Sequence, residues 1–302
     1  MHKIPMSETV SSAYNFTFKN FLSVLGIAWF PYTVCFVLIA LGVIALMPGL
    51  AHLGEGQFDF SAIGGLIGLV VLASIAFILA ASMVNVGVMR QALGLHKGQV
   101  FIYFDLSAAV WRMIGAMLLA CLVIYGVMIV SIAIVVLLFS AGPALIGQTL
   151  ANTLGVIACI AAFVFYIYAF VRLIFFIAPV VVAEERIGLG RAWELGQGNF
   201  WRIIGIWIAV TLPAGIVFNI IFSTLMGPPP MAEFHSDMTA QEVFQIYANM
   251  FAHIGPIFVV LELIYIIALT GLINGAQATA YRAVTRPPGA PIPATAPAAP
   301  AA

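Results

Sequence analysis

The sequence "MIGAMLLACLVIYGVMIVSIAIVVLLFS", residues 113–140, runs for 28 residues without a charged side chain. A helix needs about 20 apolar residues to cross the ~30 Å hydrocarbon core of a bilayer. A strand of a membrane β-barrel would instead alternate apolar and polar residues over about ten positions. Because this stretch is continuous and long, it predicts a transmembrane helix.

Five further runs have the same character along the chain. The six predicted spans are 24–48, 62–89, 113–140, 153–181, 203–226 and 255–280. The composition agrees, since 64% of all residues are hydrophobic and only 7% are charged, whereas a soluble domain carries about 25% charged residues. The sequence therefore excludes a soluble globular domain and predicts an all-α bundle of six transmembrane helices.

The basic residues are distributed very unequally between the segments that join these spans. The first set of segments is 1–23, 90–112, 182–202 and 281–302, and the second set is 49–61, 141–152 and 227–254. Ten of the eleven Lys and Arg residues belong to the first set, none belongs to the second, and Arg172 lies inside the fourth run. By the positive-inside rule, both termini are expected in the cytoplasm, in a multi-pass protein of a bacterial inner membrane.

A seven-residue phrase occurs three times, each time at the start of an odd-numbered span. It reads "NFLSVLG" at 20–26, "AVWRMIG" at 109–115 and "NFWRIIG" at 199–205. The recurrence predicts three tandem units, each a short interfacial helix followed by a transmembrane hairpin. The units are roughly 7–98, 99–187 and 188–285, which together form a transmembrane domain, 1–285, before a disordered Pro/Ala-rich tail, 286–302.

The composition of the phrase suits a membrane interface. Aromatic side chains anchor at headgroup depth, and Arg side chains reach the anionic leaflet. The predicted interfacial anchors are Phe21, Trp111, Arg112, Phe200, Trp201 and Arg202. In the first unit, Val10, Tyr14 and Phe18 share one helical face, so this helix is expected to lie in the plane of the interface.

Two ionisable residues fall inside predicted spans, and such residues are the first candidates for function in a membrane protein. Arg172 and Glu262 are close enough in predicted depth to form an intramembrane pair. The alternative is that Arg172 extends towards the interface while Glu262 is protonated or hydrogen-bonded to Tyr265 or Asn219. The charged residues Glu184, Glu185, Arg186 and Glu194 are expected to be solvated rather than catalytic.

Two other patterns make local predictions. A capping box at Thr239–Glu242 predicts a separate helix on the outer face of the bilayer. The pairs Gly64/Gly68 and Gly271/Gly275 have the spacing of helix-packing motifs in spans two and six.

The stretch "APVVVAEERIGLGRAWELGQGNFWRIIGI", residues 178–206, resembles an uncharacterised family of bacterial polytopic membrane proteins. That family includes YciC-type inner-membrane proteins and the membrane domain attached to some glycerophosphodiester phosphodiesterases. The resemblance implies a six-span membrane protein. It implies no catalytic residues here, because the catalytic barrel of those relatives has no room in this chain.

The sequence thus predicts a non-enzymatic protein with a role in membrane or envelope homeostasis through lipid or protein contacts. Membrane lipids are the expected partners, and a membrane-protein partner or a homo-oligomer stays open. No cofactor, metal, catalytic residue or nucleic-acid partner is predicted. Two alternatives remain: a transporter or channel for a small or lipid-like solute, and an accessory membrane subunit of a phospholipid-processing enzyme.

Overall fold

The computed structural model describes residues 3–53, 60–95, 101–226, 238 and 240–286, and within these ranges it contains helices and no β-strand. The helices are α1 (Met6–Lys19), α2 (Phe21–Leu53), α3 (Phe60–Ala92), α4 (Ala108–Ser140), α5 (Gly142–Ile146), α6 (Gln148–Ala183), α7 (Leu189–Leu195), α8 (Phe200–Met226) and α9 (Ala240–Thr285). Six of the described helices are long and apolar enough to cross a membrane. The all-α prediction is confirmed, and the chain is a multi-pass membrane protein.

The six long helices form three hairpins, α2–α3, α4–α6 and α8–α9, and the two helices of each hairpin pack along each other. Hydrogen bonds join the hairpins at one end. Arg282 of α9 donates to the backbone carbonyl of Ala92 in α3, and Tyr281 donates to Glu184 after α6. We call this the basic end, because these contacts gather the chain segments that carry Arg and Lys, and we call the opposite one the far end.

Among the described residues, most of the tight packing lies in the half of the bundle next to the basic end. In α6, the buried residues run from Val171 to Val182, whereas in the other half of the helix only Ala151 and Gly155 are buried. In α4, the last buried residue is Ile124, sixteen residues before the helix ends. Apolar side chains in the far halves are exposed, including Leu41, Ile75, Val130, Val136, Ile160, Ile216 and Val260. The far halves therefore consist of hairpins that contact little besides their own partner helix.

The segment that leads into each hairpin packs against a long helix from another hairpin. The first of these segments, α1, buries Thr9, Ala13 and Thr17 against α9. A side-chain carbon added at Gly275 would lie 3.2 Å from the Cα of Ala13, and one added at Gly271 would lie 2.9 Å from Thr17. Gly271 and Gly275 thus let the two backbones approach closely.

The short helix predicted for the first unit is present as α1, but its faces pack differently from the prediction. Its buried face is formed by small residues, and the predicted apolar face is divided. Tyr14 donates a hydrogen bond to the backbone carbonyl of Ala209 in α8, whereas Phe18 is 74% exposed. The other predicted packing pair forms no close contact with the described residues, since none of their atoms lies within 4 Å of a side-chain carbon added at Gly64 or Gly68.

Two further predictions about helices need correction. The described part of the middle lead-in, residues 101–107, is not helical, because the Asp105 carboxylate accepts hydrogen bonds from the backbone N–H and the hydroxyl of Ser107. The helix predicted from the capping box is not separate, since α9 is continuous from Ala240 to Thr285. Thr239 and the predicted disordered tail beyond Arg286 lie outside the described residues.

Candidate functional site

A polar pocket lies at the basic end, between α1, α3 and α9. Its volume is about 210 Å³, and it is lined by Ser12, Asn15, Phe16, Lys19, Asn20, Ala92, Gly275, Thr279 and Arg282. Four of these residues lie on α1, and three lie on the last turns of α9. The pocket exists because α1 meets α9 closely at Gly275 and then leaves space beside Thr279.

The lining is cationic. Lys19 and Arg282 each carry a positive charge, and the described residues that line the pocket include no Asp or Glu. One guanidinium nitrogen of Arg282 donates to the Ala92 carbonyl at 2.6 Å, which fixes the side chain while leaving further N–H groups for another acceptor. Ser12, Asn15 and Lys19 make no side-chain hydrogen bond with any described residue. The pocket therefore offers several donors and two positive charges to a ligand.

A second polar cluster surrounds Glu184, directly after α6. Its carboxylate accepts hydrogen bonds from Arg186 and Arg191 and, at 3.1 Å, from the hydroxyl of Tyr281. Burial on its own would raise the pKa of Glu184, but the hydrogen bonds from Arg186, Arg191 and Tyr281 outweigh it and hold the pKa below its ordinary value. This carboxylate is thus a charged link between α6, α7 and α9.

The other carboxylates near this cluster have separate partners. Glu194 lies 3.5 Å from Arg191 and is 60% exposed. Glu185 lies 3.8 Å from Arg112 and is 79% exposed. These residues are therefore ion-paired at the surface.

A third cluster forms around Asp105, which the sequence analysis did not identify. Arg90 donates to its carboxylate at 2.6 Å, and the hydroxyl of Tyr103 donates at 3.0 Å. Burial alone would raise the pKa of Asp105, but hydrogen bonds from Ser107, together with Tyr103 and Arg90, hold that pKa below its ordinary value. Burial and the neighbouring carboxylate raise the pKa of Tyr103 to about 12. The cluster ties the lead-in of α4 to the end of α3.

Arg172 does not form the predicted pair with Glu262. It is buried, with 5% relative exposure, and its guanidinium donates to the hydroxyl of Tyr168 at 2.6 Å and to the carbonyl of Trp193 at 2.8 Å. The guanidinium carbon also lies 4.1 Å from the centre of the Trp193 ring. Aromatic faces and a helix-end carbonyl therefore stabilise this charge, and it has no ion pair with any described residue.

The reason for the difference is the position of α7. A side-chain carbon added at Gly196 would lie 3.0 Å from the backbone oxygen of Arg172, so the end of α7 packs directly on the middle of α6. The repeat predicted a short interfacial helix at this position and did not indicate that its residue Trp193 would contact Arg172. Glu262, which is half-buried in α9, has no ion pair or hydrogen bond with any described residue, including Tyr265 and Asn219.

The four predicted aromatic anchors fall into two groups. Trp201 is 78% exposed and Trp111 is 58% exposed, so both can reach a membrane interface, and their anchoring role stays a prediction. Phe21 and Phe200 are half-buried and pack against the two core clusters of the protein. The ring of Phe200 lies 5.1 Å from that of Tyr168.

The two predicted arginine anchors contact protein groups. Arg202 donates to the backbone carbonyl of Ile4 at 2.6 Å, and the backbone N–H of Ile4 donates to the side chain of Asn199 at 3.0 Å. Arg112 pairs with Glu185. The phrase that begins at Asn199 therefore holds the N-terminal segment in place, a role that the repeat alone did not reveal.

Comparisons with protein-family models, curated proteins and solved structures each find no match. The fold and the contacts at the basic end define the class as a six-span, all-α membrane protein.

Proposed function

We propose that this chain is a non-enzymatic protein of the bacterial inner membrane that acts in membrane or envelope homeostasis through contacts with lipid. One observation carries the proposal: among the described residues, buried side chains lie almost entirely in the half of the bundle at the basic end, and Ala151 of α6 is an exception. In the far half, the three hairpins expose apolar side chains on most of their faces. At membrane depth, such surface is solvated by acyl chains, between the hairpins as well as around them.

The proposal includes an orientation, with the basic end in the cytoplasm. The support is the gathering of Arg and Lys side chains at this end, which matches the positive-inside pattern. Alkaline-phosphatase and fluorescent-protein fusions at both termini and in the three far-end connections test it. An active phosphatase at either terminus would contradict the orientation.

The resemblance of residues 178–206 to a polytopic membrane family, and the three-unit organisation, belong to the same proposal. In its support, the lead-in segments α1, 101–107 and α7 all contact the second helix of a different hairpin, namely α9, α3 and α6 respectively. A polar cavity lined by Arg172 and Glu262 would favour the transporter alternative, and the described residues contain no contact between the two.

The oxygen accessibility of spin labels tests directly whether buried side chains lie mainly in the half of the bundle at the basic end. In α4, residues 109, 110, 113 and 116 are buried whereas Trp111 is exposed, so labels scanned through 109–116 should show helical periodicity. Labels scanned through 132–137 should show high oxygen accessibility at nearly every position. A strong 3.6-residue period in the second scan would show that protein, not lipid, covers the far half.

A strain that lacks the chain tests the cellular role. We expect a change in membrane lipid composition or an envelope-stress response, restored by the intact chain. Unchanged lipids together with loss of a solute flux would favour the transporter. If the chain restores the lipid composition only when a co-purifying phospholipid enzyme is present, the result would favour the alternative of an accessory subunit.

A further inference from the structure

The pocket between α1 and α9 has the chemistry of an anion site. Lys19 and Arg282 supply two positive charges, and the described lining residues include no carboxylate that could neutralise them. An anion bound here would be attracted by both charges and would accept hydrogen bonds from both groups. A neutral ligand could accept the hydrogen bonds but would lack this attraction, and a cationic ligand would be repelled.

The shape and the remaining donors narrow the class of anion. The volume of about 210 Å³ corresponds to roughly seven water molecules at ~30 Å³ each, which is ample for a tetrahedral oxyanion with part of an attached group. The amide of Asn15 and the hydroxyl of Ser12, which have no hydrogen-bond partner among the described residues, add neutral donors. A phosphate group has enough acceptor oxygens to engage several of these groups together.

The location connects the pocket to lipid. It lies at the basic end, where Phe18 and Leu22, close to Lys19 in sequence, are 74% and 70% exposed. Apolar side chains therefore lie within one helical turn of a pocket residue, at the end of the bundle where the spans terminate. A phosphate held here by Lys19 and Arg282 could belong to a lipid whose chains contact this surface.

We propose that the pocket lined by Lys19 and Arg282 binds a phosphate group, carried by a phospholipid headgroup or present as free phosphate. This inference rests on the proposed function and names the chemical group that the lipid contacts would recognise. Bound phosphate joins α1 to α9, because its two cationic partners lie on these two helices.

The test is a native mass-spectrometry titration of the full chain in mild detergent with phosphatidate and with diacylglycerol of the same acyl chains. The two lipids differ in the phosphate group. We expect phosphatidate to bind at least tenfold more tightly than diacylglycerol. Equal affinities would overturn the phosphate site while leaving lipid contact intact, and the absence of any lipid binding would overturn the proposed function as well.

Two variants locate the binding. Lys19→Gln combined with Arg282→Gln removes both charges, and Asn15→Asp places a carboxylate in the pocket with almost no change in shape. Each should weaken phosphatidate binding at least tenfold. The matched control is Lys3→Gln with Arg112→Gln, which removes the same charge from the basic end outside the pocket and should change binding less than twofold.

The Asn15→Asp variant keeps the proposal testable if the double variant does not fold. An equal loss in the pocket variants and the control would mean that binding is a general charge effect, and the proposal would be wrong. Competition by inorganic phosphate separates the two sources. Displacement of phosphatidate shows that free phosphate is sufficient, and retention of phosphatidate shows that the lipid form is the ligand.

Discussion

Replacing Gly275 with Ala should push α1 away from α9. The added carbon would lie 3.0 Å from the Cδ1 of Phe16 and 3.2 Å from the Cα of Ala13. The second of these is a backbone atom, so it cannot move aside by a change of rotamer. Because this is tighter than ordinary van der Waals contact, relief requires a shift of the whole α1 helix.

The size of the effect is best measured as a difference between two variants. Crowding in a packed interior costs about 1–3 kcal/mol, whereas Gly to Ala in a helix gains about 1 kcal/mol from helix propensity. Gly68→Ala in α3 is the matched control, since no atom lies within 4 Å of its added carbon. The propensity gain is common to both variants, so Gly275→Ala should be less stable than Gly68→Ala by about 1–3 kcal/mol.

The assay is reversible unfolding in mixed micelles with increasing dodecyl sulfate, followed by circular dichroism. Gly271→Ala should also be destabilising relative to Gly68→Ala, because the added carbon would lie 2.9 Å from Cγ2 and 3.1 Å from Oγ1 of Thr17, a buried side chain whose hydroxyl donates to the Ala13 carbonyl. If Gly275→Ala proves as stable as Gly68→Ala, within about 0.5 kcal/mol, the close packing of α1 on α9 is refuted.

Three further predictions concern the basic end. The pKa of Glu184 is held below its ordinary value of 4.5, so the contribution of Glu184 to stability should be complete above pH 4.5 and lost as the pH falls through the lower folded pKa. Melting curves at a series of pH values should show this loss of stability. The Glu184→Gln variant should lack this pH dependence. Arg172→Met should destabilise the protein by about 1–3 kcal/mol. In a double-mutant cycle of unfolding free energies, Glu262→Gln should add its own effect without coupling to Arg172→Met. If Glu262→Gln instead restored stability to the Arg172→Met variant, the predicted pair would be supported. Phe200→Ala should lower the detergent melting temperature more than Trp201→Ala, because Phe200 packs in the core whereas Trp201 is 78% exposed; equal losses would assign both the same role.

The spans could be predicted from the sequence because they depend on local composition. A run such as 113–140 satisfies its backbone hydrogen bonds within one helix and needs no knowledge of neighbours. The gathering of the described basic segments at one end of the bundle also followed, since Arg and Lys positions are read directly, and the membrane side of that end stays a prediction. The ends of the helices were harder to predict from the sequence. For example, α6 ends close to Glu185, which adopts a φ of 51°, and the residue type does not indicate this conformation.

The candidate site could not be predicted, because its residues meet only through tertiary packing. Lys19 and Arg282 belong to the first and last helices, and each reads in the sequence as an ordinary interfacial charge. The same limit applied to Arg172, whose partner Trp193 comes from a helix expected to lie elsewhere. A sequence signal was present in the spacing of Gly271 and Gly275, but the equally spaced Gly64 and Gly68 face open space. Spacing alone therefore did not distinguish the pair that packs.

The glycine contact and the cationic pocket are parts of one arrangement. Gly275 and Phe16, which meet at the closest approach of α1 and α9, also line the pocket. Small residues hold the two helices together on one side of the crossing, and Lys19 and Arg282 line the pocket beside it. Phosphate bound in the pocket would attract both cations, and a ligand that binds only the docked helix stabilises docking by mass action. The position of α1 on the bundle would then depend on the supply of phosphate groups at the membrane surface.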